Sequence, residues 1–101
     1  MDLHARIASG SPPQILDVRT EREWRASRIE GAFNAPITSL HATLQGLDLE
    51  PQHPVVAICL SAHRSIPAVR ALRDAGFSDV CQLRGGMLAW WKAGLPAVEG
   101  P

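Results

Sequence analysis

Short apolar runs alternate with amphipathic stretches along this chain, and glycine, proline or small polar residues punctuate each change. Leu3 to about Ala8 predicts a short amphipathic helix, closed by the break Gly10-Ser11-Pro12-Pro13. Ile15-Leu16-Asp17-Val18 is an apolar run with one carboxylate and predicts a buried strand. The helix formers Glu21 to Arg25 follow, with Thr20 placed to cap them. Gly31 to Pro36 predicts a turn, a very short strand and a stop, and Ser39 to Gln45 a helix with Leu40 and Leu44 at i, i+4. After Pro51 and Pro54, Val55-Val56-Ala57-Ile58-Cys59 is the most strand-like segment, apolar on both faces as a central parallel strand is. Ser65 to Ala75 predicts a helix that tolerates Pro67 in its first turn and closes at Gly76. Asp79 to Leu83 reads as another strand, and Met87 to Lys92 as a last helix, ended by Gly94 and Pro96. The alternation predicts an α/β fold with a mostly parallel sheet and helices on both faces.

Size and charge narrow the function. With 101 residues the chain suits one domain, residues 1–101, able to bury a core without disulfides or a structural metal. Lys+Arg and Asp+Glu are ten each, which argues against nucleic acid as the main partner. The N-terminus lacks the apolar stretch of a secretory signal, and no segment has the roughly 18 apolar residues of a membrane span. The two cysteines, Cys59 and Cys81, form no CxxC pair and the four histidines are scattered, so zinc-ligand spacing is absent. Two reduced thiols in the cytoplasm are the expectation.

In a parallel sheet, ligands bind outside the carboxyl ends of the strands. Cys59 stands at such an end, and Cys59-Leu60-Ser61-Ala62-His63-Arg64 bridge the strand to the helix opening at Ser65. The N–H groups of the loop and of the first helical turn have no helical acceptors. If the loop curls, they gather on the cysteine sulfur, with the helix dipole and Arg64 adding positive charge. Such surroundings favour a thiolate and hence a nucleophile. A lone strand-end cysteine is otherwise a small buried hydrophobe; the small and polar residues after Cys59 turn the reading toward function. Ser65 reads equally as a helix cap or a ligand contact. Asp17 and Arg19, at the end of the first strand, read as a local salt bridge or as support for the loop and Arg64. Trp24 and Trp90 read as core anchors, one of Trp90 and Trp91 as partly exposed, Met87 as lining the mouth of the pocket, and Cys81 as buried and inert.

The chain resembles the single-domain rhodanese family along nearly its whole length. Ile15-Leu16-Asp17-Val18-Arg19 with Glu23-Trp24 resembles the family's first motif, and Ile29 to Pro36 its second. Cys59 to Ser65 resembles its active loop; Gly76 to Val80, Leu83-Arg84-Gly85-Gly86-Met87 and Trp90 through Pro96 resemble its closing segments. Each motif is weak alone, but their order and spacing are specific. Ala62 stands where the family often has glycine, and Ser27-Arg28-Ile29-Glu30 where it often reads Gly-His-Ile-Pro.

The resemblance implies a three-layer α/β fold with about five short, mostly parallel strands. It also implies a sulfurtransferase in which Cys59 carries sulfur as a persulfide. A small anionic donor such as thiosulfate would load it, and cyanide, a thiol or a protein cysteine would unload it by double displacement, with no cofactor or metal. Leu60, Ser61, Ala62, His63, Arg64 and Ser65 would hold the donor and persulfide. Asp17 and Arg19 would support them. Four residues separate Cys59 from Arg64. Cysteine phosphatases and arsenate reductases of similar architecture have five, a bowl wide enough for tetrahedral phosphate; the tighter loop suits one sulfur atom. A persulfide relay for a partner protein, a binding module without catalysis, and a phosphatase-like enzyme are the competing readings.

Overall fold

The computed structural model describes residues 2–61 and 63–100. Its elements run α1 (Leu3–Ala8), β1 (Gln14–Asp17), α2 (Glu21–Ala26), β2 (Phe33–Asn34), α3 (Leu40–Gly46), β3 (Val55–Ile58), α4 (Ser65–Asp74), β4 (Val80–Gln82) and α5 (Gly86–Lys92). The four strands form one sheet in the order β2-β1-β3-β4, and every neighbouring pair is parallel. The expected fold class is found with four strands among the described residues, not about five. One of the four, β2, is only two residues long, and elsewhere among the described residues pairing amounts to an isolated antiparallel bridge between Arg28 and Val98.

Alternation along β3 divides the core. Val55, Ala57 and Cys59 face one way and pack with Leu16, Val18, Leu40, Ala68, Leu72 and Val80, beneath α3 and α4. Val56 and Ile58 face the other way, against Leu3 of α1 and Met87 and Trp90 of α5. All four β3 residues are buried, as befits a strand flanked on both edges and covered on both faces. Burying each of Val55, Val56 and Ile58 contributes about 1.5–3 kcal/mol, so this short strand holds the two layers together. Met87 is fully buried in the second layer, so it does not line a pocket mouth.

Trp90 is 5% exposed and donates its indole N–H to the Pro96 carbonyl, an anchor as expected. Trp24 is only half-buried; its indole donates to Ala32 O, and the Arg28 guanidinium lies 4.3 Å from its ring centroid. Trp91 is the exposed member of the pair, at 38%.

The helix of most consequence is α4. Ser65, Ala68 and Leu72, at i, i+3 and i+7, form its buried stripe. That register carries the Ser65 hydroxyl into the layer shared with Cys59. Arg64, not Ser65, occupies the capping position. Pro67 falls in the first turn, where its missing N–H removes no helical bond.

Candidate active site

Cys59 follows directly on β3, at the carboxyl end of the sheet. It is 2% exposed. Its thiol donates to the Ser65 hydroxyl at 3.5 Å, and that hydroxyl donates onward to Gln82 Oε1 at 2.7 Å. Leu60 and Ser61 are half-exposed and His63 is exposed, in contrast to the enclosed Cys59 they follow. Ala62 lies outside the described residues.

The loop is fastened from outside by α5. Met87 N donates to Cys59 O at 2.9 Å, and Leu88 N donates to Leu60 O at 3.0 Å. These are N–H groups that a helix start leaves without internal acceptors. The close approach depends on Gly86, at φ +59. A Cβ there would stand 2.6 Å from the carbonyl oxygens of Leu60 and Ser61 and closer still to that of Cys59. Because a trans peptide sets C=O and N–H on opposite sides, carbonyls turned toward Gly86 turn the N–H groups of Leu60 and Ser61 away from it. Among the described residues, the N–H groups of Leu60, Ser61, His63 and Arg64 are given to no protein oxygen.

Arg64 does not reach into the loop alone. Its guanidinium grips Glu23 of α2 in a two-pronged contact, Nη1 to Oε1 at 2.6 Å and Nη2 to Oε2 at 3.0 Å. Glu23 Oε1 also accepts from the Thr20 N–H in a capping box at the start of α2. The Arg64 contact, with the Thr20 bonds, lowers the Glu23 carboxyl from 4.5 to about 2 against the opposing effect of burial. The same pairing raises Arg64 further above its ordinary value.

Asp17 and Arg19 form a buried ion pair, Nη2 to Oδ2 at 2.8 Å. Arg19 also donates to Ser27 O at 2.6 Å, and Asn34 Nδ2 donates to the carbonyls of Asp17 and Arg19. This network ties the end of β1 to the turn before α2, to Ser27 at the end of α2 and to β2. Their hydrogen bonds stay within this region and none goes to Arg64. The support for Arg64 comes from Glu23, which the sequence reading did not single out.

Gln82 was also missed. Period-two alternation puts Val80 and Gln82 on the α4 side of β4, and a polar residue at that strand's end was the available signal. A depression of about 920 Å³, lined by residues that include Arg70, Arg73, Gln82 and Arg84, runs between α4 and β4. It meets the Cys59 site through Gln82. Cys81 is half-buried on the opposite face of β4, and burial raises its thiol above the ordinary value. Among the described residues no cluster of side chains suits a metal ion, and no helix is long and apolar enough to cross a membrane.

Comparison with known proteins agrees with this architecture. The model of the rhodanese-like domain matches residues 2–93. An HTH-type transcriptional regulator of Mycobacterium tuberculosis is 42% identical over 88 residues, 85% of this chain and 38% of the regulator. The thiosulfate sulfurtransferase GlpE of Pseudomonas fluorescens is 37% identical over 76 residues, covering 75% of this chain and 68% of that protein. The crystal structure of the Alr3790 protein from Anabaena superposes with a TM-score of 0.87 at 32% identity, over 97% of this chain and 88% of that one. Several curated relatives are longer proteins, of which this chain spans 24 to 46%. With the motifs in order, the sheet and loop in place and the family model spanning most of its length, this chain belongs to the family of rhodanese-like domains.

Proposed function

We propose that the chain acts as a single-domain sulfurtransferase that carries sulfane sulfur on Cys59. The observation that supports this most is the union of two features at one strand end. A cysteine directly follows the central parallel strand, and among the described residues the loop after it has backbone N–H groups given to no protein oxygen. Such donors match a persulfide anion and cost no reorganisation when it forms.

In this reading the Cys59 thiolate attacks the outer sulfur of thiosulfate or of a persulfide donor. The donor's S–S bond breaks, its electron pair leaves with sulfite or a thiolate, and Cys59 becomes a persulfide. An acceptor thiolate or cyanide then attacks the terminal sulfur and releases the Cys59 thiolate, giving ping-pong kinetics. The enclosure of Cys59 favours a donor that presents a single exposed atom over one that presents a tetrahedral phosphate. Leu60, Ser61, Ala62, His63 and Ser65 would line the cradle. Arg64 has two of its five N–H groups committed to Glu23 and would offer the rest to an anionic donor at the rim. Asp17 and Arg19 would hold the adjoining strand end rigid. The free state of both cysteines is in keeping with a reducing compartment such as the cytoplasm. The name of the GlpE relative supports thiosulfate as donor.

The test is the thiosulfate:cyanide reaction of Cys59→Ser. The reading expects turnover to vanish while the thermal midpoint stays within a few degrees of wild type. Undiminished turnover in the variant would remove Cys59 from the reaction.

A further inference from the structure

The Ser65 hydroxyl carries one hydrogen, which it must divide among its neighbours. In the structure it points that hydrogen at Gln82 Oε1 and accepts from the Cys59 thiol, an arrangement suited to neutral cysteine. A thiolate has no hydrogen to give and needs one from Ser65. If Ser65 turns its hydrogen to sulfur, an oxygen of Gln82 at 2.7 Å faces a lone pair and loses its donor.

An amide resolves this conflict, because half a turn of its terminal torsion exchanges an acceptor for a donor. Gln82 lies on the exposed end of an edge strand, where such a turn meets little packing. Ser65 itself is fully buried, so water does not take the place of Gln82 without rearrangement.

We propose that Gln82 is a positioning residue whose amide orientation follows the charge of Cys59. It accepts from Ser65 when Cys59 is a thiol and donates to Ser65 when Cys59 is a thiolate, so that the hydroxyl hydrogen is released to the sulfur. The only proton lost overall is the thiol's, which passes to solvent; no covalent bond other than S–H changes. The proposal deepens the sulfurtransferase reading, which needs the thiolate, but its physics requires no sulfur donor.

Other titratable and charged groups lie on the elements packed around this layer. Asp17 and Arg19 lie at the end of β1, Glu23 on α2, His41 on α3, and His63 and Arg64 in the loop; Arg70 lies on α4 and Arg84 after β4. The first turn of α5, Gly86 to Ala89, carries none. All of these stay constant when only position 82 changes.

The experiment compares the pH dependence of iodoacetamide alkylation of Cys59, read by mass spectrometry on its own peptide, in wild type and Gln82→Glu. A carboxylate accepts but cannot donate, so the alkylation profile should move to higher pH by about half a unit to one unit. In a Ser65→Ala background the same substitution should move it by less than half as much. An unmoved profile, or an equal shift without the Ser65 hydroxyl, overturns the proposal; the second result would mean that charge alone acts. Should Ser65→Ala not fold, the side-chain amide resonances of Gln82 in wild type decide. They should titrate together with Cys59 and lose that titration in Cys59→Ala; resonances insensitive to pH contradict the proposal. Failure of wild type to take up sulfur, with the relay intact, would count against the sulfurtransferase reading alone.

Discussion

Glu23 and Arg64 stand 41 positions apart, and their two-pronged contact decides where the guanidinium points. The carboxyl is held at about 2, below its ordinary 4.5, so the pair's contribution to stability is complete above about pH 4.5 and is lost as pH falls toward 2. Thermal melts across that window should show a steeper acid loss for wild type than for Glu23→Gln, which has no carboxyl to protonate. Equal slopes would mean that the pair adds nothing to the native state. Sequence showed Glu23 only as a helix former after the Thr20 cap and Arg64 as a loop cation, but not their meeting. Contacts between elements depend on how helices are set on the sheet, and no local pattern encodes that. Gln82 differs: period-two alternation along Val80-Cys81-Gln82 puts it on the same face as Val80, a signal carried by the sequence itself.

The active loop is shaped as much by the start of α5 as by its own sequence. Gly86 admits the carbonyls of Cys59, Leu60 and Ser61, and the next two N–H groups of the helix bind two of them. Gly86→Ala meets both a left-handed backbone angle and those oxygens, so it should destabilise the fold by about 1–3 kcal/mol and slow sulfur transfer. Urea unfolding and turnover together check this; a variant with wild-type stability and rate would show that the loop holds its shape without the glycine. The pair Gly85-Gly86 was readable as a turn, and the strand-loop-helix order around Cys59 was readable from the apolar run and Pro67. What the turn fastens was not readable, because the clamp is a backbone contact between segments more than 25 residues apart.

Across the whole molecule, order along the chain carried most of the fold. Apolar runs that continue on both faces marked β3 as central, and the two core layers follow from its alternation. The count of strands was set too high because family resemblance, not a fifth apolar run, suggested it. The enclosure of Cys59 is likewise a property of the assembled layers: α4 presents Ser65 in its buried stripe, and β3 carries Cys59 into the same layer. That sulfur joins the core and the catalytic proposal at one atom. Intact-mass analysis after exposure to thiosulfate tests the proposal most directly. The account predicts a gain of one sulfur, about 32 Da, located on Cys59, absent from Cys59→Ser and removed by cyanide. A mass unchanged by thiosulfate and by persulfide donors, or a gain located on Cys81, would contradict it.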